Sequence, residues 1–269
     1  MILTQPPQLS SPAPVSEHHT ASARPELTPQ PLTWLWPGRI PQGKLTLLDG
    51  SPGCGTTLFS ITLAAHVSTG QSWPDNTPCP RGKVLFITPN DHFRDTLLPR
   101  LKATGAREDH VLSFTHIPDP SPNAPQRTRP FSFARDLSLL ERAITTQGII
   151  LLIIDPYTAL PGWRRALPAL IELAQRTHCA IVLTRSLSHA PSNPLYPRCP
   201  ASTAVNAARS HLLLAPDPRD ERHCLLLTSK HSLCAAPSIL AYTITTRHDQ
   251  PLLSWLPAPD PLHLYRLCT

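Results

Sequence analysis

A short apolar run that ends in a cluster of glycines, followed directly by a helical pattern, constrains this sequence more than any other feature. Residues 45–49 form the run, residues 50–57 read Gly-Ser-Pro-Gly-Cys-Gly-Thr-Thr, and apolar residues recur at helical spacing over 57–68. This order predicts a strand, a glycine turn and a helix. Such a turn presents backbone N–H groups at the helix N-terminus, where they can bind an anion.

The glycine turn matches a phosphate-binding loop (P-loop) at three of its four defining positions. The pattern Gly-x-x-x-x-Gly-Lys-[Ser/Thr] is met at Gly50, Gly55 and Thr57, and it lies between a strand and a helix, as its chemistry requires. Backbone N–H groups would hold the phosphates of ATP, and the Thr57 hydroxyl would bind Mg²⁺. The predicted cofactor-binding residues of the loop are Gly50, Ser51, Pro52, Gly53, Cys54, Gly55, Thr56 and Thr57.

The fourth position departs from the pattern, because Thr56 stands where a lysine should reach the β- and γ-phosphates. A hydroxyl supplies no positive charge to the transferring phosphoryl group. Losing one such preorganised interaction costs on the order of 3 kcal/mol in the transition state, so we expect turnover to suffer more than binding. Taken alone, a glycine turn without its lysine is equally well explained as a structural connection between a strand and a helix.

The most apolar run of the chain, residues 149–154, ends at Asp155. A continuous apolar run of this kind is typical of a central strand covered on both faces. Downstream of a P-loop, a carboxylate at the end of such a strand is expected to bind Mg²⁺ directly or through water. The alternative is an aspartate that caps the turn before Pro156, which we would favour for an isolated Asp.

Strand and helix patterns alternate through the first two thirds of the chain, and strand patterns then follow one another. Further helices are predicted over residues 94–104, 132–146, 167–176 and 201–210. The alternation predicts an α/β fold with a mainly parallel sheet flanked by helices, and antiparallel strands at the C-terminal end. Residues 1–31 are rich in proline and lack apolar periodicity, which predicts a disordered arm followed by one domain over 32–269.

The composition indicates which classes of partner suit this chain. Lys and Arg number 24 against 18 Asp and Glu, a formal net charge of +6, which suits a nucleotide or nucleic acid, although many soluble proteins carry as much. The seven cysteines are scattered and form no Cys-x-x-Cys pair, which predicts reduced thiols in a cytoplasmic protein. No apolar run is long enough to span a bilayer, so we expect no membrane partner.

Several segments within residues 33–245 resemble the AAA_25 or RepA-like branch of RecA-fold ATPases, which includes plasmid replicative helicases. These segments are residues 38–48, 63–70 with 73–75, 84–91 followed by 95–101, 155–156 and 207–210. The resemblance implies a RecA-like P-loop NTPase fold with ATP and Mg²⁺ as cofactors. It also implies a homo-hexamer that binds nucleotide at subunit interfaces, with single-stranded DNA as a further partner.

Four active positions depart from the family pattern. Besides Thr56, Asn90 occupies the place of the catalytic glutamate, and an amide cannot accept the proton of the attacking water. Ser186 and His189 stand where the family usually has the His and Lys of an Arg-His-Leu-Asn-Lys motif, of which Arg185 remains.

By the same resemblance, Arg209 is an arginine finger, and Arg185 and Lys230 join Asp155 among the cofactor-binding residues. Without the resemblance, Arg209 is better explained as a solvated charge at a helix end. Lys230 is then equally well explained as a surface lysine. The catalytic candidates are therefore Arg209 and the degenerate position Asn90.

The joint loss of the lysine and the catalytic carboxylate predicts the function. We expect a RecA-like AAA-family ATPase homologue that binds ATP and Mg²⁺ at a degenerate P-loop with little or no hydrolysis, in DNA replication or mobile-element maintenance. Two alternatives stay open: an active DNA-dependent ATPase of the helicase type, and a non-catalytic DNA-binding or assembly module.

Overall fold

A computed structural model describes residues 31–114, 117–118, 128–188, 203–235, 237–257 and 259. Residues Leu32–Thr269 cluster as one compact unit. The predicted arm falls almost entirely outside the described residues, so its disorder stays a prediction.

Short strands and helices make up the described chain. The strands are β1 (Trp34–Trp36), β2 (Ile40–Pro41), β3 (Leu45–Gly50), β4 (Lys83–Ile87), β5 (Val111–Ser113), β6 (Ile117–Pro118), β7 (Thr128–Arg129), β8 (Ile149–Ile154), β9 (Ala180–Ser186), β10 (Ser210–Asp217), β11 (Asp220–His231), β12 (Leu240–Arg247) and β13 (Gln250–Leu256). The α-helices are α1 (Thr56–Thr69), α2 (Leu98–Ala103), α3 (Phe133–Gln147), α4 (Trp163–Thr177) and α5 (Thr203–Ala207).

A nine-stranded sheet organises these elements in the order β13-β12-β11-β10-β3-β9-β8-β4-β5. The pairs from β10 to β5 are all parallel, and β11, β12 and β13 extend the sheet with antiparallel pairs. The predicted fold class is confirmed: a mainly parallel α/β sheet with antiparallel strands at its C-terminal end. Parallel neighbours need crossover connections, and helices supply them.

Alternation along the strands divides the core between the two faces of the sheet. In β3, Leu48 packs with α1 and α2 on one face, which we call the α1 face. Leu45 and Leu47 pack with α3, α4 and α5 on the other, which we call the α4 face. The run in β8 is buried on both sides, as its continuous apolar sequence predicts.

Some predicted boundaries were wrong. The helix predicted over 94–104 is a π turn at Phe93–Leu97 followed by α2. Helix α4 begins at Trp163 rather than 167, since Pro168 is accommodated inside it, and the helix predicted over 201–210 is described only as α5, because Ser210 already belongs to β10. Sequence analysis also missed the small hairpin of β1 and β2, whose strands are too short to show periodicity.

Among the helices in the described ranges, none is both long and apolar enough to cross a membrane. The cysteines in these ranges are free thiols, four of them buried. The cytoplasmic location stays a prediction.

The packing of β8 leads to a first prediction. Ile153 is fully buried in the middle of this central strand, so Ile153→Ala should lower the free energy of unfolding by about 2–5 kcal/mol. Chemical denaturation followed by circular dichroism measures the change. Ser138→Ala on the exposed side of α3 is the control, and it should shift the value by less than about 0.5 kcal/mol. Equal effects of the two variants would contradict the assigned core.

Candidate functional site

The candidate site lies at the edge of the sheet where the parallel strands end. Strand β9 pairs with both β3 and β8, so Gly50 and Ile154 terminate at the same edge. Ligands of open α/β sheets bind outside this carboxyl edge. The P-loop follows β3 there, and Asp155 follows β8.

Backbone contacts fix the shape of the P-loop. The Ser51 N–H donates to the Leu214 carbonyl of β10 at 2.9 Å, and the Cys54 N–H donates to the Ser51 carbonyl at 3.1 Å. Gly53 and Gly55 have φ angles of 81° and 68°, which favour glycine. Helix α1 then begins with no side-chain cap and no acidic residue in its first turn. Its N-terminus therefore keeps the partial positive charge that suits a phosphate.

The Thr56 side chain folds back over the first residue of the loop. A Cβ placed on Gly50 would lie 1.8 Å from Thr56 Oγ1, so only glycine fits at position 50 while Thr56 keeps this position. Thr56 is 8% exposed. The residue at the lysine position is thus packed within the loop, and it brings no charge to the carboxyl edge.

Asp155 is buried among hydroxyl groups. The Thr184 hydroxyl donates to Asp155 Oδ1 at 2.5 Å, and the hydroxyls of Thr57 and Ser60 lie near enough to this carboxylate to favour its charged form. Burial raises the pKa of Asp155, the hydroxyl hydrogen bonds oppose that rise, and the charge of Asp91 adds to it. The structure therefore brings Thr57 and Asp155 together, the two residues predicted to bind Mg²⁺.

These two residues fit a magnesium ion. Asp155 Oδ2 is buried and has no hydrogen-bond partner, which leaves one carboxylate oxygen for a cation beside the Thr57 hydroxyl. Carboxylate and hydroxyl oxygens are ligands that Mg²⁺ accepts, usually with several waters and the oxygens of a bound phosphate. Thr57 and Asp155 would hold the ion, and the ion would neutralise charge on the phosphates.

Asn90 lies at the same edge, in the turn after β4. It is exposed and borders a cavity of ≈ 240 Å³ that Phe93, Phe114 and Phe131 also line. Its neighbour Asp91 is half-buried, and the Asp91 N–H donates to Thr88 Oγ1 at 3.2 Å. Sequence analysis overlooked Asp91 although it is the next residue, because the family pattern directs attention to the glutamate position alone.

Arg185 lies on β9 opposite Asp49, the residue that precedes Gly50 of the P-loop. Its guanidinium makes a bidentate ion pair with Asp49, with Nε donating to Oδ1 at 2.9 Å and Nη2 donating to Oδ2. Asp49 alternates with Leu48, so this pair lies on the α4 face of the sheet. In these contacts Arg185 anchors the end of β3, from which the P-loop departs.

A buried histidine extends this ion pair and was also missed from the sequence. His211 Nε2 lies 3.1 Å from Asp49 Oδ2, and its Nδ1 lies 2.5 Å from Ser229 Oγ. Burial alone would raise the pKa of Asp49, but hydrogen bonds from His211 and Arg185 outweigh it, and the pKa lies below its usual range. Asp49 in β3 and His211 in β10 are polar residues inside otherwise apolar strands, and this pattern could have indicated a buried polar contact.

Arg209 and Lys230 lie together at the opposite edge of the sheet. The Arg209 N–H donates to the carbonyl of Leu45, the first residue of β3, at 2.9 Å. Lys230 Nζ donates to the carbonyls of Val205 and Ala208 at 2.8 and 2.7 Å; burial and then the charge of Arg209 lower the pKa of Lys230. The length of β3, on the order of 15 Å, separates Arg209 from the P-loop of its own chain. Ser186 ends β9, and His189 lies outside the described residues.

Comparison with known families adds to this geometry. A family model described as an AAA domain (AAA_25) matches residues 12–191. The chain belongs to this AAA domain family. The match confirms the P-loop NTPase assignment, and with it an ATPase-type nucleotide-binding domain. It spans the P-loop, Asn90, Asp155 and Arg185, and it ends before Arg209 and Lys230. A search of the curated proteins gives no match.

The contacts of Asp49 with Arg185 and His211 predict that replacing Asp49 lowers the stability of the fold strongly. Asp49 is fully buried, so Asp49→Asn removes one charge of a buried ion pair with Arg185 and should lower the free energy of unfolding by about 3–5 kcal/mol at pH 7. Urea denaturation measures the difference. Asp109→Asn removes an exposed partner of Arg107 and should leave the urea midpoint unchanged. An Asp49 variant as stable as the parent would contradict the ion pair.

Because the pKa of Asp49 is lowered, the difference in unfolding free energy between the parent chain and Asp49→Asn should depend on pH. An aspartate whose folded-state pKa is depressed contributes stability above the unfolded-state pKa of about 4, and the contribution is lost as the pH falls through the lower folded-state value. The difference in unfolding free energy between the parent chain and Asp49→Asn should therefore be constant from pH 7 to 5 and become smaller below pH 4. A gap that widens on acidification would have the wrong sign.

Proposed function

We propose that the chain binds Mg-ATP at its degenerate P-loop and hydrolyses it slowly or not at all, as a RepA-like member of the family that serves DNA replication or mobile-element maintenance. One observation carries the proposal: the Asp155–Thr57 pair keeps a carboxylate oxygen for a cation, beside a P-loop whose lysine position is filled by the packed side chain of Thr56.

Retained binding is supported by the features that hold phosphate without a lysine. The loop glycines, the uncapped start of α1 and the hydroxyl of Thr57 are all in place at the carboxyl edge of the sheet. Backbone N–H groups and the helix N-terminus attract phosphate independently of any side chain. The cation then neutralises charge that the lysine would otherwise offset.

Weak hydrolysis is supported by two independent defects. Thr56 gives no charge to the transferring phosphoryl group, and the amide of Asn90 cannot accept a proton from water. Each 1.4 kcal/mol of lost transition-state stabilisation slows the reaction about tenfold. Two such losses in one site favour a protein that binds nucleotide over one that hydrolyses it.

The position of Arg209 at the opposite edge of the sheet supports assembly of several copies of this chain. Arg209 is exposed there, and Lys230 holds the carbonyls at the end of α5 beside it. Too distant from the P-loop of its own chain, Arg209 would meet phosphate only in a neighbouring copy. Its position favours a ring in which one subunit contributes to the next site, the hexamer that the family resemblance implies.

An exposed turn after β8 supports contact with single-stranded DNA. Trp163 is half-buried at the start of α4, Arg164 and Arg165 follow it on the surface, and the Arg164 guanidinium lies 4.4 Å from the centre of the Trp163 ring. Aromatic rings and cations on one surface suit stacked bases and phosphates. This turn favours the DNA-binding alternative as an additional property of the same protein.

Calorimetry with Mg-ATP, run beside a phosphate-release assay with and without single-stranded DNA, tests the main proposal. We expect binding, phosphate release close to the buffer rate, and at least tenfold weaker binding for Asp155→Asn. Thr56→Lys should bind ATP more tightly than the parent. Phosphate release that disappears in Asp155→Ala would identify an active ATPase, whereas failure to bind both ATP and DNA would leave a purely structural role.

The DNA surface has its own test in the salt dependence of binding. Replacing both Arg164 and Arg165 by alanine should weaken binding to an oligonucleotide and reduce the slope of log K against log salt by about one for each lost phosphate contact. Fluorescence anisotropy with a labelled oligothymidine measures both quantities. Arg142→Ala on α3 should change neither, and equal losses in both variants would indicate that only net charge matters.

A further inference from the structure

Away from the P-loop, an exposed serine contacts a buried histidine, which in turn contacts a buried aspartate. Ser229 is exposed on β11, and its Oγ lies 2.5 Å from Nδ1 of His211. His211 Nε2 lies 3.1 Å from Oδ2 of Asp49. The proposed nucleotide function uses neither Ser229 nor His211. A hydroxyl beside a base that a third group orients is the arrangement that activates a nucleophile.

The charge of Asp49 fixes which ring nitrogen of His211 carries the proton. Burial would raise the pKa of Asp49, but hydrogen bonds from His211 and Arg185 outweigh burial and lower it, so this carboxylate is ionised at neutral pH and only accepts hydrogen bonds. His211 Nε2 must therefore donate to Asp49, which leaves Nδ1 of the neutral ring as an acceptor. The Ser229 hydroxyl then donates to Nδ1, so His211 is placed to take the serine proton.

A bulge in β11 determines the position of Ser229. His211 pairs with Lys230 and Leu212 pairs with Thr228, so the register shifts between these pairs and Ser229 is the extra residue of β11. Bulges redirect side chains and are common beside active sites. Here the bulge places Ser229 against His211, while the ammonium group of Lys230 reaches the carbonyls at the end of α5.

Exposure within this trio is graded as a nucleophilic site requires. Asp49 and His211 are 0% and 1% exposed, so their mutual geometry is held by the core. Ser229 is the member at the surface, where a reagent from solution can reach its hydroxyl. The ammonium of Lys230 donates to three carbonyls, so its donors are already engaged and it is poorly placed to bind a phosphoryl group. An uncharged carbonyl carbon therefore suits the site better than a phosphate.

We propose that Ser229 is a nucleophile that accepts an acyl group from an activated carboxylic ester, with His211 as its general base and Asp49 as a positioning residue. Ser229 Oγ bonds to the carbonyl carbon while its proton passes to His211 Nδ1. The C–O bond to the leaving group then breaks, and the leaving alcohol takes that proton. The products are an acyl-serine and a free alcohol. The inference goes beyond the proposed function and requires neither ATP nor Mg²⁺.

Reaction of the full-length chain with p-nitrophenyl acetate tests the proposal, followed by nitrophenol release and by intact mass. We expect a burst of one nitrophenol per chain and a mass gain of one acetyl group, which peptide mapping should place on Ser229. Ser229→Ala should abolish the burst. Ser232→Ala is the matched control, since that exposed serine donates to the Arg209 carbonyl instead of contacting a histidine, and it should react as the parent chain does.

Removing the base separates a catalytic role of His211 from a structural one. His211→Ala should lower the acylation rate constant about 100-fold or more, the usual contribution of a general base. Added imidazole should restore part of that rate, because it can occupy the space that the ring leaves. Asp49→Asn should slow acylation while the final gain stays at one acetyl group, because each folded chain keeps its serine. Circular dichroism checks that each variant folds, and His211→Gln replaces His211→Ala if the latter does not.

The contrary outcomes are equally specific. Equal acylation of the parent chain and Ser229→Ala, or equal rates for the parent chain and the folded His211 variant, would overturn the proposal and leave these contacts a structural role. A burst that depends on Ser229 in a chain that binds no ATP would support the acyl-accepting site and refute the nucleotide function. ATP binding without any burst would do the reverse.

Discussion

Parallel pairing of β9 with β3 on one side and β8 on the other is the constraint on which the site depends. It ends both outer strands at one edge, so that the P-loop leaves β3 close to the point where Asp155 leaves β8. The backbone N–H and C=O groups of these buried strands need hydrogen-bond partners, and pairing with the neighbouring strands supplies them. The site is consequently a product of strand register, and the loss of the lysine has not altered it.

Two buried carboxylates on opposite faces of the sheet have opposite environments. Asp49 meets a guanidinium and an imidazole, and its pKa is lowered; Asp155 meets hydroxyls and the charge of Asp91, and its pKa is raised. The first is satisfied by the protein itself and anchors the strand before the P-loop. The second keeps an oxygen without a partner, which is the state expected of a residue that awaits a ligand.

Sequence analysis predicted the fold class well, because the signals were local. The glycine turn at 50–57 and the apolar run of β8 each specify their own structure, and the family match confirms the P-loop assignment. The relations that it missed join distant residues: Arg185 with Asp49, His211 with Ser229, and Asp91 with Asp155. No periodicity records such pairs, since strand order decides which residues meet. The assignment of Arg185 and Lys230 to the nucleotide site stays a prediction.

A single-turnover experiment tests the central claim most directly. The chain is held in excess over labelled ATP with Mg²⁺, so that nearly all nucleotide is bound, and the ADP formed is measured after acid quenching over hours. We expect the bound ATP to stay intact, with conversion to ADP close to the rate in buffer. Conversion of bound ATP within seconds to minutes, abolished by Asp155→Ala, would contradict it and identify a working ATPase that needs neither the lysine nor the glutamate.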